Sequence, residues 1–240
     1  MLLFYKKERA LRKVEIKKHY VTNYIDKYIL IDIIILVGGK MKKLDLEKII
    51  NTNKPELTFL VGKTLCGKTT LIQEITKKMI KKHIPTLLFC FEMPKIITIN
   101  NIIERNSSEL ELNNLGIYLG TSCYIEKMYD QIKELKLKEN IKFIMIDEIC
   151  SILTEKIYIM GRGDIISIII KKLKELSKEL NIPILVTAPA NIETREFKEN
   201  PIKALSYFCK EQSAKDYVYK IILINGNIKD NNMNFIKKNI

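Results

Sequence analysis

The stretch Leu57–Thr70, LTFLVGKTLCGKTT, decides the fold of this 240-residue chain. It opens with a short run of apolar and β-branched residues, continues through a turn that contains Gly62 and Gly67, and leads into a segment with helical spacing. A strand, a glycine-rich turn and a helix in direct succession begin a strand–helix–strand unit. The backbone N–H groups of such a turn and the N-terminus of the helix point at one place, so the stretch predicts an anion-binding site.

Residues 62–69 fit the phosphate-binding motif G-x-x-x-x-G-K-[ST]. Its glycines allow the backbone to curl around phosphate oxygens, and the following helix adds the partial positive charge of its N-terminus. In this motif the lysine, here Lys68, reaches the β- and γ-phosphates, and the next hydroxyl, here Thr69, ligates Mg²⁺. We therefore predict a site for ATP and Mg²⁺ that is formed by Gly62, Lys63, Thr64, Leu65, Cys66, Gly67, Lys68, Thr69 and Thr70.

Two residues of this loop are unusual. Many phosphate-binding loops carry a further glycine at the position of Leu65. Cys66 places a thiol inside the loop. We therefore expect that alkylation of Cys66 weakens nucleotide binding.

Three carboxylates complete the predicted site. Asp147 ends the apolar strand predicted over 141–147, the usual position of the carboxylate that holds Mg²⁺ through water. Glu92 ends the strand predicted over 86–92, at the sheet edge where ligands bind in open α/β folds, and Glu148 directly follows Asp147. Glu92 and Glu148 are both candidates for the general base that orients the attacking water, and the residues alone leave the choice open.

Short apolar runs alternate with amphipathic segments from Leu57 onward, and the runs have almost no polar face. Strands of this kind are buried on both sides, so we predict an α/β fold with a mainly parallel central sheet and helices on both faces. The predicted strands are 57–61, 86–92, 115–119, 141–147, 183–187 and 217–224, and the predicted helices are 68–82, 96–105, 124–138 and 164–180, the last with Asp164 as its N-cap.

The composition is that of a globular protein with an excess of basic residues. The chain carries 41 Lys and Arg against 28 Asp and Glu, a net charge of +13, which favours an anionic partner or reflects a lysine-rich surface. The five cysteines form no CxxC pair and there are only two histidines, which argues against a zinc site, a disulfide framework and histidine-based catalysis. The cysteines are odd in number and far apart, which indicates reduced thiols, so we expect a cytosolic protein. The longest apolar run, 28–37, is too short to span a membrane.

The sequence predicts a boundary at residue 40, where two glycines precede Lys40 and Met41. By this interpretation residues 1–40 are a basic N-terminal arm and residues 41–240 form one ATPase domain. Two hypotheses for the arm remain open. It is a helical segment that docks on a neighbouring subunit, or it is not translated, because consecutive glycine codons can encode a ribosome-binding sequence before Met41. Mass analysis of the natively expressed N-terminus distinguishes the two.

From about residue 44 to residue 240 the chain resembles the C-terminal RecA-like ATPase domain of the DnaB-type replicative helicases. Besides the phosphate loop, the resemblance rests on Phe91-Glu92-Met93 and on the segment KELNIP at 178–183. It implies a RecA-like P-loop NTPase fold, with Glu92 as the catalytic base, Lys68 and Thr69 on phosphate and Mg²⁺, and Asp147 supporting the metal. It also implies a hexamer that acts on single-stranded DNA in replication or repair.

Two positions depart from that family. Where the family has Ser-Gln-Leu-Asn-Arg, this chain has APANI at 188–192, so the glutamine that senses the γ-phosphate is missing. The arginine finger falls at Lys238, and lysine lacks the planar fork that grips a phosphate bidentately. Loss of such an arginine costs about 10³–10⁵ in rate. We therefore expect nucleotide binding and slow hydrolysis, and we do not expect processive unwinding.

Two alternatives stay open beside a DNA-dependent motor. The adjacent Asp147 and Glu148 fit an AAA-type helicase loader with Glu148 as the base. The missing glutamine and arginine fit a nucleotide-gated binding module that assembles with a helicase without hydrolysing ATP. For DNA, the candidate phosphate contacts are Lys198, Lys203 and Lys210, unless these lysines form only a solvated basic surface.

Overall fold

The computed structural model describes residues 2–4, 34–37, 40–43, 54–91, 102, 114–155, 161–206, 208–225 and 234–239. The strands are β1 (Leu2–Phe4), β2 (Ile34–Val37), β3 (Lys40–Lys43), β4 (Leu57–Gly62), β5 (Thr86–Cys90), β6 (Leu115–Leu119), β7 (Cys123–Tyr124), β8 (Phe143–Asp147), β9 (Ile152–Leu153), β10 (Ile184–Pro189), β11 (Lys220–Asn225) and β12 (Asn234–Asn239). The helices are α1 (Lys68–Lys81), α2 (Ile125–Glu139), α3 (Arg162–Leu180), α4 (Thr194–Glu199) and α5 (Glu211–Tyr217), with short 3-10 helices at Ile149–Ser151 and Pro201–Ala204.

Within the described residues, the central sheet has eight strands in the order β1-β6-β5-β8-β10-β4-β11-β12. The six strands from β6 to β11 run parallel, and β1 and β12 pair antiparallel at the two edges. Parallel strands bring all their carboxyl ends to one edge, where open α/β sheets bind ligands. The strand order therefore places the ends of β4, β8 and β10 side by side.

Helices cover both faces of the sheet because successive strand residues point to opposite sides. In one core cluster, residues such as Leu60, Leu88 and Met145 pack with α1. Their chain neighbours, such as Phe59 and Phe89, lie in the other cluster with α2 and α3. The predicted α/β class, with a mainly parallel sheet between two helical layers, is confirmed.

Most predicted boundaries differ from the observed ones by a few residues, but the start of the helix near Asp164 was predicted wrongly. That helix begins at Arg162 with Gly161 as its N-cap, and Asp164 lies in its first turn, where its N–H donates to Gly161 O at 3.0 Å. There the Asp164 carboxylate pairs with Lys210 and still complements the positive end of the helix.

The C-terminal third contains helices that the sequence analysis did not predict. α4 and α5 are short, six and seven residues, and their apolar positions are too few to show a helical period. Tyr217, predicted as the first residue of a strand, ends α5 instead. The predicted helix 96–105 lies outside the described residues except for Ile102, which is helical and buried.

Little of the predicted N-terminal arm lies within the described residues. β1 pairs with β6 through Leu2↔Tyr118, Leu3↔Ile117 and Phe4↔Gly116. β2 and β3 form a hairpin that crosses the predicted boundary at residue 40. That boundary and the two hypotheses for the arm stay predictions.

Candidate functional site

The phosphate loop follows β4, an inner strand with β10 on one side and β11 on the other. Leu57, Phe59 and Val61 are fully buried, so the point from which the loop springs is fixed by the core. Ala190, directly after β10, donates its backbone N–H to Gly62 O at 2.9 Å. The loop is thus tied to the sheet at its first residue.

Gly62 is required by close packing. A Cβ atom at this position would lie 2.6 Å from the Cys66 sulfur and 2.9 Å from the Ile224 carbonyl oxygen. Neither distance is tolerated by a real side chain, so the loop can fold back on its own start only because residue 62 has none. Cys66 fills the space that this creates, and it is almost completely buried.

Two residues of the loop have left-handed backbone conformations. Gly67 has φ 98°, which glycine adopts without steric cost. Leu65 has φ 64°, an uncommon value for a branched side chain, and its side chain is 91% exposed at the tip of the loop. The irregularity noted at Leu65 in the sequence therefore has a structural counterpart, because this is a position that favours glycine.

Lys68 is held inside the loop. Its Nζ atom donates hydrogen bonds to Gly62 O at 3.1 Å and to Lys63 O at 3.2 Å, and its side chain is buried. The ammonium group therefore lies among the loop carbonyls and not in solvent. A cation at this place can meet the phosphates that the loop backbone would surround.

The N-terminus of α1 carries a positive electrostatic potential that no acidic side chain of its own first turn neutralises. Its N-cap, Gly67, has no side chain to cap the first turn, and that turn contains no acidic residue. Thr69 is half-buried and Thr70 is exposed in the same turn. The turn can therefore accept an anion at its backbone N–H groups.

Asp147 ends β8 on the face of the sheet that α1 covers. Two residues earlier on this strand, Met145 Sδ accepts a hydrogen bond from Thr76 Oγ1 of α1 at 3.7 Å. Continuing along both elements brings Asp147 towards the first turn of α1, which contains Lys68 and Thr69. Asp147, the carboxylate predicted to support Mg²⁺, therefore lies on the side of the sheet where the phosphate loop leads into α1.

The Asp147 carboxyl group is 1% exposed and only half satisfied. Oδ1 accepts a hydrogen bond from Thr187 Oγ1 at 2.6 Å, whereas Oδ2 is buried and has no hydrogen-bond partner among the residues that the structure describes. A buried acceptor without a partner is costly, and a cation or a cation-bound water is the partner that such an oxygen prefers. This orphaned oxygen fits the expected Mg²⁺ site.

No group of three or more metal-ligating side chains occurs among the described residues. Mg²⁺ does not require one, because it is commonly held by one or two protein oxygens together with substrate phosphates and water. Asp147 and Thr69 are therefore a sufficient protein contribution, provided that a nucleotide supplies the remaining ligands.

Glu148 lies beside a second group of residues. Its carboxylate contacts the Cys150 thiol, which also contacts the Arg162 guanidinium. Burial, followed by the charge of Glu148, raises the pKa of the Cys150 thiol, and Arg162 opposes this shift. Glu148 is therefore placed next to a thiol and near an arginine that the sequence analysis did not single out.

A cavity of about 550 Å³ lies at this edge of the sheet. Its volume is within the range of small-molecule sites. The lining combines residues of the phosphate loop with residues at or just after the ends of β8 and β10, the first residue of α3 and one residue before α5: Lys63, Thr64, Cys150, Arg162, Pro189, Ala190, Asn191 and Phe208. The phosphate loop therefore borders a space that can hold a ligand.

The remaining predicted residues are the catalytic base Glu92 and the candidate DNA-binding lysines. Glu92 lies outside the described residues, so its role stays a prediction. Of the candidate DNA lysines, Lys203 pairs with Glu196 at 3.0 Å and Lys210 pairs with Asp164. Lys198 is exposed.

Three further residues of this site were not predicted from the sequence: Thr187, Arg162 and Phe208. Thr187 could have been noticed as the one hydroxyl in the apolar run ILVTA at 184–188. Arg162 and Phe208 carry no local signal, because only the fold brings them to the loop.

Comparison with known protein families gives a match to the model described as the DnaB-like helicase C terminal domain, over residues 98–204. The matched stretch includes Asp147 and Thr187 and begins after the phosphate loop. Together with the fold, the match confirms the predicted resemblance to the C-terminal domain of DnaB-type helicases. A comparison with curated protein sequences gives no match.

Solved structures confirm the RecA-like fold. One solved ATPase domain is 16% identical with a TM-score of 0.58, and the similarity covers 77% of this chain and 81% of that one. A DnaB-like replicative helicase, described with its interactions with primase, is 14% identical with a TM-score of 0.56 over 78% of this chain and 55% of that one. A KaiC-like protein from the archaeon Pyrococcus horikoshii OT3 is 13% identical with a TM-score of 0.55 over 78% and 80% of the two chains.

Two further observations bear on the compartment and surroundings expected from the sequence. All five cysteines carry free thiols. Within the described ranges no helix is both long and apolar enough to cross a membrane.

Proposed function

We propose that this chain binds ATP with Mg²⁺ and hydrolyses it slowly, as the motor domain of a DnaB-like helicase that acts on single-stranded DNA in replication or repair. The proposal rests on one observation, the position of the Asp147 carboxylate relative to the phosphate loop. The loop at 62–69 holds the Lys68 ammonium and the helix N-terminus at one point, and Asp147 presents an orphaned buried oxygen on the same face of the sheet.

The residues of this chain divide the work as follows. The backbone of the loop and Lys68 bind the phosphates, and Thr69 and Asp147 hold Mg²⁺. When bound, the metal neutralises charge on the β- and γ-phosphates. Glu92 is the base that we favour, from the resemblance to the helicase family, and it orients the attacking water. The subunits assemble in a ring, as in that family.

A nucleotide-gated module that does not hydrolyse ATP is the second candidate, and one observation favours it. Pro189 lines the cavity where the helicase family has its γ-phosphate-sensing glutamine. Proline has no side-chain donor, so this position cannot report the γ-phosphate by a hydrogen bond. Slow or absent hydrolysis follows from this substitution.

ATP hydrolysis measured with and without single-stranded DNA tests the proposal. We expect slow turnover that DNA stimulates and that Lys68→Ala and Glu92→Gln both abolish. Loss of turnover in Glu148→Gln but not in Glu92→Gln would favour a helicase loader. Binding of ATP without any turnover would favour the module.

A further inference from the structure

We infer that Thr187 is a positioning residue for the Mg²⁺-nucleotide complex, because it fixes the Asp147 carboxylate so that one defined oxygen faces the phosphate loop. The inference rests on the proposed function and deepens it. It adds to the site a residue whose hydroxyl acts through Asp147.

The register of the sheet places Asp147 and Thr187 side by side. β8 and β10 are neighbours, and Ile146 lies opposite Val186. One residue further along each strand, Asp147 and Thr187 therefore stand next to each other and point to the same face. The Thr187 hydroxyl donates to Asp147 Oδ1 at 2.6 Å.

Burial makes this hydrogen bond consequential. Thr187 is completely buried and Asp147 is 1% exposed, so water does not compete for the bond. In such surroundings a carboxylate that accepts one short hydrogen bond keeps a single orientation. Oδ1 is occupied, and Oδ2, which no group in the described part of the chain approaches within hydrogen-bond distance, is left to receive the cation or its water.

Outer partners of this kind commonly matter to metal binding. A hydrogen bond to a carboxylate ligand fixes its orientation, and its loss typically lowers metal affinity by about 10- to 100-fold. Without the Thr187 hydroxyl, the Asp147 side chain can rotate and both of its oxygens lack a partner. The Mg²⁺ concentration needed to hold the nucleotide should therefore rise.

Another buried threonine provides a matched control. Thr86 at the start of β5 is also completely buried, and its hydroxyl donates to Ile84 O at 2.9 Å. Thr86 pairs with Phe143, four residues before Asp147, which places it about 13 Å from the carboxylate along the strands. Thr86→Val and Thr187→Val each remove one buried hydroxyl, so both variants should be destabilised towards urea.

The test is binding of a fluorescent ATP analogue as a function of Mg²⁺ concentration. We expect Thr187→Val to raise the half-saturating Mg²⁺ concentration about tenfold, Thr187→Ser to restore it, and Thr86→Val to leave it unchanged. Thr187→Cys keeps the size and a weaker donor, so it should give an intermediate shift and serves if the valine variant does not fold. In an Asp147→Asn background, Thr187→Val should add nothing.

The possible results distinguish a failure of the role of Thr187 from a failure of the proposed function. If the wild type shows Mg²⁺-dependent binding and Thr187→Val shows the same dependence, or Thr86→Val shifts it equally, Thr187 has only a structural role. If the wild type does not bind the analogue, or Lys68→Ala binds it equally well, the proposed function itself fails and the role of Thr187 fails with it.

Discussion

Leu65 stands at the tip of the phosphate loop in a conformation that its side chain disfavours. At φ 64° the Cβ atom of an L-residue approaches its own backbone, which costs about 1–2 kcal/mol. Its side chain is 91% exposed and recovers little of that energy by packing. The loop keeps this strain next to the residues that we assign to phosphate binding.

We expect Leu65→Gly to raise the free energy of unfolding by about 1 kcal/mol, because glycine adopts this conformation freely. Leu137, in the last turn of α2, is a matched control, since it is 87% exposed but helical. Leu137→Gly should lower the free energy of unfolding by about 1 kcal/mol. Urea denaturation of both variants checks the opposite signs, and equal losses would contradict the strain at Leu65.

The loop could be predicted from the sequence because its conformation is local. The glycines, the preceding strand and the following helix all lie within residues 57–81, and each leaves its own pattern. Thr187 and Arg162 could not be predicted in this way. Their contacts depend on which strands become neighbours and on where a helix starts, and a short stretch of sequence predicts neither.

Cys66 offers a chemical probe of the same loop. Burial is the main cause that raises the pKa of the Cys66 thiol above 9.0, so the reactive thiolate is scarce at neutral pH. We expect slow alkylation that accelerates as the pH rises towards that pKa, and a modified protein that binds ATP weakly because an added group cannot fit beside Gly62. Mass mapping and ATP binding measure both effects. Unchanged binding after modification at Cys66, or an equal loss in treated Cys66→Ala protein, would contradict this geometry.

At the scale of elements, Glu126 ties three segments together. It lies in the first turn of α2, and its carboxylate accepts hydrogen bonds from Lys172 of α3 at 2.7 Å, from Thr154 Oγ1 at 2.8 Å and from the Glu155 N–H at 3.3 Å. The Glu126 carboxylate is therefore a charged anchor that joins α2, α3 and the segment after β9. Through α3 this anchor supports the position of Arg162 beside the cavity.

The anchor makes the stability depend on pH. Burial opposes the ionisation of Glu126, but the hydrogen bonds led by that from Lys172 outweigh it and lower the pKa of this carboxyl group. A lowered pKa adds stability that is present above the unfolded value of about 4.3 and is lost as the pH falls through the folded value. We expect Glu126→Gln to lower the free energy of unfolding by about 1 kcal/mol at pH 7, and this loss should shrink as the pH falls through the folded pKa of Glu126.

Chemical denaturation at several pH values measures this difference. The control is Glu134→Gln on the same helix, whose pair with Lys138 is exposed to solvent and should contribute little at any pH. A loss in Glu126→Gln that does not change with pH would show that the carboxyl group acts by packing and not by charge.

The elements themselves were predictable to different degrees. The long helices α1, α2 and α3 have enough turns to show an apolar face, and the inner strands show unbroken apolar runs. The short α4 and α5 and the two-residue strands β7 and β9 do not, because their form depends on the surface that they pack against.

At the scale of the whole molecule, the charge of +13 fits an anionic partner, but the lysines are not equivalent. Lys203 is neutralised by Glu196 at 3.0 Å, whereas no ion pair within the described part of the chain involves the exposed Lys198. A lysine that gives up its own ion pair gains less from a DNA phosphate than one that has none.

We therefore expect Lys198→Ala to weaken binding of single-stranded DNA and to reduce the slope of log K against log salt by about 0.7. Lys203→Ala, the matched control on the same surface, should change the slope less. Fluorescence anisotropy over a series of salt concentrations measures both slopes. Identical slopes in the wild type and Lys198→Ala would exclude Lys198 as a phosphate contact.

Calorimetric titration of the protein with ATP and Mg²⁺ is the decisive test of whether the loop at 62–69 is an ATP site. We predict saturable binding to the wild type, at least tenfold weaker binding to Lys68→Ala, and unchanged binding to Lys78→Ala in the last turn of α1. Equal affinities of the wild type and Lys68→Ala, or no binding to the wild type, would contradict the claim.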